Sequence, residues 1–223
     1  MKKNHLLLII VGTITFAQCS KKHNDGSKAD LTKGLLVNFK FDNQLFDSAK
    51  EFQVGYLGLL SYGKDRKNKD KSAIVFDSGY VTFKCYGWSV NPFSVSLWVL
   101  SKNKGYNNFF IRSEQGIFGL KQHSILSSSM SYGMTVTTNT TITAMAPAKF
   151  GWIHVVGTYD GENIKTYING ELKSTMNHPG QTGGTNQMMI GSISNPQWQG
   201  SLDDMRFYNR ILTDEEILLL SQQ

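Results

Sequence analysis

The sequence predicts an all-β protein, a two-sheet antiparallel sandwich of the jelly-roll type with one short C-terminal helix. Three observations lead to this prediction. Apolar residues recur at every second position over short segments, which is the spacing of a strand with one buried face. Glycine-containing turns such as Asp160-Gly161 and Asn169-Gly170 separate these segments. A helix-capping pattern occurs at Thr213, and many short strands with one late helix are typical of sandwiches and jelly rolls.

The predicted strands begin at residues 35–41, where positions 35, 37, 39 and 41 are apolar and alternate with Leu36, Asn38 and Lys40. Further strands are predicted at residues 74–76, 80–83, 93–99, 188–190 and 202–208. Residues 152–159 are apolar on both faces, which favours two packed sheets over a single exposed sheet. Residues 103–149 are weakly patterned and rich in Ser, Thr and Asn, so we expect strands with long loops there.

Residues 152–175 carry the clearest strand pattern. The Asp-Gly and Asn-Gly pairs supply the positive φ that tight hairpin turns need, so a three-stranded meander is predicted. The only helix that is well signalled follows later. Thr213 as N-cap and Glu216 three residues on form a capping box, and acidic residues in the first turn suit the helix dipole.

Composition limits the function classes. The 223 residues include 21 Gly and only 18% charged residues, which argues against a disordered, coiled-coil or collagen-like chain. The net charge of +6 comes without a long Lys/Arg block, so no nucleic-acid partner is predicted. Two cysteines are too few for a disulfide framework, and Cys85 is expected to be a small buried hydrophobe. The mixed charges of residues 63–71 predict a solvated loop.

The N-terminus has the layout of a bacterial export signal. Lys2 and Lys3 precede an apolar run at residues 6–16, which is too short to span a bilayer. Phe-Ala-Gln-Cys at residues 16–19 resembles a lipobox, and Cys-Ser-Lys-Lys resembles the start of many Bacteroidetes lipoproteins. In such a protein Cys19 carries the acyl chains; ordinary cleavage after Ala17 is the alternative.

These features predict three parts of the chain: a signal peptide at residues 1–18, a lipidated Cys19 with a flexible tether at residues 19–33, and a folded domain at residues 34–223. The predicted location is the cell envelope, as an outer-membrane lipoprotein that contacts the membrane through its lipid anchor only. A secreted or periplasmic protein is the alternative.

Six segments in chain order resemble motifs of the concanavalin A-like lectin/glucanase superfamily and, within it, of the laminin-G-like jelly roll. They are Leu-Val-Asn-Phe-Lys-Phe-Asp at residues 36–42, Asp-Ser-Ala at 47–49, Phe-Ser-Val-Ser-Leu-Trp-Val at 93–99, Trp-Ile-His-Val-Val-Gly-Thr-Tyr-Asp at 152–160, Tyr-Ile-Asn-Gly at 167–170 and Gly-Ser-Leu-Asp-Asp-Met-Arg-Phe-Tyr-Asn-Arg-Ile-Leu with the helix start at 200–217. The resemblance covers residues 34–220 and implies the jelly roll, but it does not specify a ligand, because one fold hosts many functions.

No catalytic centre is predicted. Glucanases that resemble this chain carry Glu-x-Asp-x-Glu on one strand, because two carboxyl groups must flank the glycosidic bond. That pattern is absent, and the nearest acidic cluster, at residues 214–216, begins the predicted helix. His154 is expected to be buried and hydrogen-bonded. The sequence therefore predicts a binding protein and not an enzyme.

The resemblance implies one candidate cofactor, a structural Ca²⁺ held by Asp42 and Asp203. These acids are far apart in the chain, but the family topology brings the first and last strands together. Ca²⁺ takes six to eight oxygen ligands, so two carboxylates would need help from carbonyls, amides or water. The alternative is that both are carboxylates at strand ends, with Asp203 or Asp204 paired with Arg206.

Candidate ligand contacts are aromatic residues in or beside loops that contain Gly and Asn, because the C–H faces of sugars stack on exposed rings. They are Tyr86, Trp88, Tyr106 and Trp198. The predicted function is therefore a non-catalytic, lectin-like domain that binds a polysaccharide or glycan. Two alternatives stay open: a protein-interaction or structural adhesion module with a protein partner, and a glycoside hydrolase with an atypical acid pair.

Overall fold

The structure is a computed structural model that describes residues 29–45, 54–88, 91–102, 108–123, 130–192 and 198–223, with the backbone alone at 86–88. The predicted signal peptide, the predicted lipidation residue Cys19 and the ligand candidate Tyr106 lie outside the described residues. In chain order the elements are β1 (Leu35–Phe39), β2 (Val54–Leu57), β3 (Leu60–Gly63), β4 (Ala73–Phe76), β5 (Gly79–Trp88), β6 (Phe93–Ser101), β7 (Asn108–Ser113), β8 (Phe118–His123), β9 (Met130–Thr137), β10 (Thr141–Ala148), β11 (Ile153–Tyr159), β12 (Asn163–Ile168), β13 (Glu171–Asn177), β14 (Thr185–Ser192), β15 (Gly200–Tyr208) and the helix α1 (Asp214–Ser221).

The strands form two antiparallel sheets. The eight-stranded sheet has the order β13-β12-β11-β6-β15-β4-β3, with β1 paired to β15, and the seven-stranded sheet has the order β10-β9-β8-β7-β14-β5-β2. The predicted sandwich with one C-terminal helix is therefore confirmed, as is the meander, which consists of β11, β12 and β13. The edge strands β2 and β3 had no clear pattern in the sequence.

The main core lies between the two sheets and is filled by the inward residues of each strand. At its centre the Phe93 ring lies 4.6 Å from the Phe118 ring and 5.9 Å from the Phe207 ring, measured between centroids. Gly157 allows the sheets to approach closely here, because a Cβ at this position would be 2.7 Å from the Met134 Sδ. The predicted burial of Cys85 is confirmed, and burial raises the pKa of its thiol to about 12.

A second apolar cluster lies on the outer face of the eight-stranded sheet, beneath α1. Its buried members are Val156, Tyr167, Tyr208, Leu212, Ile217 and Leu220. The predicted capping box is present: the Glu216 amide donates to the Thr213 hydroxyl at 3.2 Å, and the Thr213 amide donates to the Glu216 carboxylate at 2.9 Å. One outer face of the sandwich is therefore covered by a third layer.

The folded part begins before residue 34, where the folded domain was predicted to start. Leu31 packs against the second apolar cluster. The Arg210 guanidinium donates to the carbonyls of Asp30 and Lys33 at 2.9 and 2.7 Å, so this stretch is bound to the domain. Within the described part of the chain, no helix is both long and apolar enough to cross a membrane.

Candidate binding face and charged cleft

Asp42 and Asp203 line one cleft of about 280 Å³ at the outer side of the eight-stranded sheet. They meet because β1 pairs with β15, with Phe39 opposite Met205. Two cations already bind these acids. The Lys69 ammonium lies 2.7 Å from the Asp42 carboxylate, and the Arg66 guanidinium binds both Asp203 and, at 2.7 Å, Asp204.

Arg66 is held in place by a compact loop. The Asp65 carboxylate accepts hydrogen bonds from the amides of Lys67 and Lys69, each at 2.8 Å. The Arg66 side chain is only 9% exposed and its guanidinium carbon lies 4.7 Å from the centre of the Trp98 ring. The prediction that residues 63–71 form a solvated loop is therefore wrong at Arg66, which is an anchor rather than a surface cation.

The alternative pairing of these acids with Arg206 does not occur. The Arg206 Nε donates instead to the Asn38 side chain at 3.2 Å, across the β1–β15 pair. Burial and the neighbouring Asp204 carboxylate raise the pKa of Asp203 to about 7, and the positive charge of Arg66 opposes that rise. The hydrogen bond from Lys69 lowers the pKa of Asp42.

This arrangement does not fit a calcium ion. Ca²⁺ needs several free oxygen ligands, but the Asp42, Asp203 and Asp204 carboxylates bind Lys69 and Arg66. Among the described residues, no group of three or more His, Cys, Asp or Glu side chains is placed to hold a metal ion. Calcium at Asp42 and Asp203 stays a prediction. The ion pairs of these acids with Lys69 and Arg66 argue against it, because they already neutralise the carboxylates.

His154 lies beside the cleft, on the same outer face, as a buried residue. Its Nε2 is 2.9 Å from the Ser96 hydroxyl, which confirms the expectation of a buried, hydrogen-bonded histidine. Burial, together with the nearby Arg66 and Arg206, lowers the pKa of His154 to about 3. The ring is therefore neutral at physiological pH.

The outer face of the seven-stranded sheet is built differently. Outward residues alternate with core residues along each strand, but two of them are covered: Thr135 is 1% exposed and Met189 is 8% exposed. Neighbouring side chains therefore cover the face at these positions. The Met145 side chain occupies the space over Gly133, since a Cβ at Gly133 would lie 2.6 Å from the Met145 Sδ.

The most distinctive feature of this face is a cluster around Gly119. A Cβ at Gly119 would lie 2.9 Å from both the Phe109 ring and the Arg112 Cβ. The absence of a side chain at this position therefore allows Phe109 and Arg112 to pack against the backbone of β8. Lys121 pairs with Phe109 across β7 and β8, and its ammonium is 5.7 Å from the ring centre. We call Phe109, Arg112, Gly119 and Lys121 the Phe109 platform.

The Phe109 platform combines an apolar ring with donors of hydrogen bonds. Phe109 and Lys121 are half-buried, and burial lowers the pKa of Lys121. Farther along the face the hydroxyls of Thr135 and Thr143 lie 2.9 Å apart. A flat ring beside a cation and hydroxyl groups can contact both the C–H face and the hydroxyls of a polar ligand.

The seven strands of this sheet contain no Asp or Glu. Their charged residues are Lys84, Arg112 and Lys121, which alternate with residues of the core. Hydrolysis of a glycosidic bond requires an acid and a second carboxylate on the two sides of the bond. These strands supply neither carboxylate.

Of the four predicted aromatic contacts, Tyr86 and Trp88 belong to β5 of this sheet, where Trp88 pairs with Thr185. Their side chains lie outside the described part of the structure, as does all of Tyr106. Trp198 is placed elsewhere, in the core.

The placement of Trp198 corrects the prediction that it contacts ligand from an exposed loop. Its side chain is fully buried, and the indole N–H donates to the Ser101 hydroxyl and the Gln122 side chain, each at 3.1 Å. Its ring packs 5.7 Å from Phe110 and 5.9 Å from Phe76. Trp198 is therefore a core residue with a satisfied polar atom.

Sequence reasoning missed Phe109 and Lys121. The alternation of Phe118, Leu120 and Gln122 with Gly119 and Lys121 could have placed Lys121 on an outer face. Its contact with Phe109 could not be derived in this way, because it depends on a register shift between Phe109 and Ile111.

Comparisons with known proteins agree with this architecture. Residues 76–218 match the family model described as the concanavalin A-like lectin/glucanases superfamily, and the chain belongs to this superfamily. A search among curated proteins gave no match.

Solved structures with the same fold include domain 4 of AbnA, a GH43 extracellular arabinanase from Geobacillus stearothermophilus, in complex with arabinotriose. The TM-score is 0.68 at 21% identity, over 84% of this chain and 98% of that one. The binding domain of botulinum neurotoxin DC in complex with SialylT gives a TM-score of 0.67 at 16% identity, over 85% of this chain. A structure of botulinum neurotoxin type C, whose cell entry depends on interaction with two ganglioside molecules, gives 0.66 at 16% identity. The chain spans about half of each toxin chain, 51%. At these identities the likeness shows a shared fold.

Proposed function

We propose that this protein is a non-catalytic carbohydrate-binding module that holds a polysaccharide or glycan on the outer face of its seven-stranded sheet. The observation that carries the proposal is the Phe109 platform, a half-buried aromatic ring that packs against Gly119 with the Lys121 ammonium 5.7 Å from its centre. The neighbours of known structure support it, since one is an arabinanase domain in complex with arabinotriose and others are toxin binding domains.

The distribution of carboxylates favours binding over hydrolysis. The strands of the proposed binding face have no Asp or Glu, and the acids of the charged cleft are on the other sheet. In the cleft, Asp42, Asp203 and Asp204 bind Lys69 and Arg66, so these carboxylates are not free to act as the acid and the second carboxylate of a hydrolase.

A glycan-array screen of the purified protein tests the proposal, followed by titration of the best hit into variants. We expect Phe109→Ala to weaken binding about tenfold, which corresponds to about 1.4 kcal/mol. Leu172→Ala is the control, since it removes a side chain that is 47% exposed on a strand of the eight-stranded sheet. A folded protein that binds no glycan, or equal affinities for the Phe109→Ala variant and the wild type, would contradict the proposal.

A protein-interaction module is the second candidate function. It is favoured by three exposed apolar side chains at the β2–β3 connection, where Tyr56 is 68%, Leu57 63% and Leu59 74% exposed. Both β2 and β3 are edge strands, and exposed apolar edges are typical sites of protein association. A glycan screen without hits on folded protein would favour this candidate.

We also propose that the module is tethered to the cell envelope through acylated Cys19. The lipobox-like sequence at residues 16–19 supports this, and several acyl chains on one residue give stable anchoring without a spanning helix. Cys19→Ala should release the protein from isolated membranes into the soluble fraction. Retention of this variant on membranes would show that another segment is the anchor.

A further inference from the structure

The charges of the Phe109 platform are all positive. The Arg112 Cβ and the Phe109 ring both pack against Gly119, and the Lys121 ammonium lies 5.7 Å from the centre of that ring. Lys84 lies on the same sheet, two strands away from β7 and therefore about 10 Å across it. The nearest acid along the chain is Glu114, in the turn between β7 and β8. A ligand on this face therefore meets a cationic surface.

The positive charges at the platform have no acidic partner in the described part of the chain. Arg66, Lys69 and Arg210 each bind a carboxylate on the eight-stranded side of the molecule. No ion pair among the described residues includes Arg112 or Lys121. A half-buried cation without a counterion is unfavourable, because it loses hydration and gains no compensating charge.

On this basis, and resting on the proposed function above, we infer that the ligand is an acidic glycan whose carboxylate or sulfate groups bind Arg112 and Lys121 while a sugar ring lies on Phe109. Arg112 can bind such a group with two parallel hydrogen bonds, and Lys121 can bind it as a point charge. The ligand supplies the negative charge that the seven strands lack.

The lowered pKa of Lys121 agrees with this inference. Burial disfavours its charged form in the free protein, and an anion placed beside it restores that form. The Phe109 ring sets the preference for an acidic sugar over a simple inorganic anion, because an anion alone would gain nothing from the apolar surface.

The test compares polymers that share a backbone and differ in charge. One pair is polygalacturonate and its methyl ester, which isolates the carboxylate; the other is dextran sulfate and dextran, which isolates the sulfate. Binding of the purified protein is measured by biolayer interferometry at low and high NaCl. We expect at least tenfold tighter binding to the acidic member of one pair or both, with the preference reduced by salt.

The protein has a net charge of +6, so it could attract an acidic polymer without a specific binding site. Matched variants distinguish these two cases. The double variant R112Q/K121Q should lose at least tenfold in affinity for the acidic polymer. The control K33Q/K165Q removes the same charge from the N-terminal segment and the eight-stranded sheet, and should stay within twofold of the wild type. Thermal melts of both variants verify that they fold.

Each other result overturns the inference. Equal losses in the two double variants would mean that net charge alone attracts the polymer. Equal or tighter binding of the neutral polymers, with Phe109→Ala still weakening it, would overturn the acidic ligand and leave the proposed function in place. Absence of binding in every arm, together with a glycan array without hits, would overturn both.

Discussion

The two outer faces of this sandwich follow the same alternation of inward and outward residues but differ in how far other parts of the chain cover them. On the eight-stranded sheet, α1 covers Val156, Tyr167 and Tyr208, and the loop that carries Arg66 covers Trp98. On the seven-stranded sheet, in the part that the structure describes, the Phe109 platform lies beneath no such layer. The comparison shows that one face is covered by packed elements, whereas the described part of the chain places no such layer over the Phe109 platform.

The difference extends to the polar groups. On the covered face the Tyr208 hydroxyl and the His154 Nδ1 are buried without a hydrogen-bond partner, but other groups are paired: the Tyr167 hydroxyl donates to Asp214 at 3.0 Å, and Arg210 binds Glu216 at 2.6 Å. Partners of this kind are needed where water is excluded. On the open face, Arg112 and Lys121 form no ion pair with any residue that the structure describes, which is acceptable only where solvent or a ligand can reach them.

The largest expected effect concerns the core shared by both faces. Trp198→Ala should lower the free energy of unfolding by about 4 kcal/mol, because it leaves a cavity and frees two hydrogen-bonding partners. Urea denaturation followed by circular dichroism measures this. Phe109→Ala, on the open face, should cost less than about 1 kcal/mol. A loss below 1 kcal/mol for Trp198→Ala would restore it as a candidate surface contact.

The second largest expected effect comes from removing Arg66, which packs on the covered face. Arg66→Ala should lower the free energy of unfolding by about 3 kcal/mol, because it leaves Asp203 buried without its cation and uncovers Trp98. Arg112→Ala removes the same side chain from the open face and should change it by less than about 0.5 kcal/mol. Similar losses for both variants would show that the two faces do not differ in this way.

The strands and the helix could be predicted from local sequence, because alternation, Asp-Gly and Asn-Gly turns and the Thr213 capping box are local signals. The role of Arg66 could not be predicted, since its partner Asp203 is 137 positions away and the charges around Arg66 resemble those of any surface loop.

The candidate site shows the same limit. Trp198 follows Asn195, Pro196 and Gln197, which is the composition of a surface loop, although its ring fills the core. Phe109 stands beside Phe110, and only the register shift in β7 decides that Phe110 points inward and Phe109 outward. A ring next to an identical ring carries no local sign of which one is exposed.

The third prediction concerns pH and the covered face. The pKa of His154 is lowered to about 3 in the folded state, whereas its ordinary value is 6.5. The unfolded chain therefore takes up this proton first, so the stability that His154 contributes is fully present above pH 6.5 and is lost as the pH falls toward 3. His154 alone should remove about 2 kcal/mol between pH 6.5 and 5, whereas Asp203, whose pKa is raised to about 7, takes up its proton in the folded state over the same range and opposes this loss.

Denaturation curves across this range measure that slope. The His154→Gln variant is the matched test, because it keeps a polar group beside Ser96 but does not titrate. The change in its free energy of unfolding between pH 6.5 and 5 should differ from that of the wild type by about 2 kcal/mol, in the direction of a smaller loss. An unchanged slope would mean that another group controls the acid sensitivity of the fold.

The smallest expected effect is that of metal removal. Since Arg66 and Lys69 already bind the acids of the cleft, EDTA should leave the melting temperature of the protein unchanged, and added CaCl₂ should not raise it. The Arg66→Ala variant sharpens the test, because Asp203 and Asp204 then lose their cation, and added Ca²⁺ should raise the melting temperature of this variant alone. A fall in the wild-type melting temperature with EDTA, reversed by Ca²⁺, would show that a metal ion displaces Lys69 or Arg66 and that the covered face is stabilised by an external cation instead of its own.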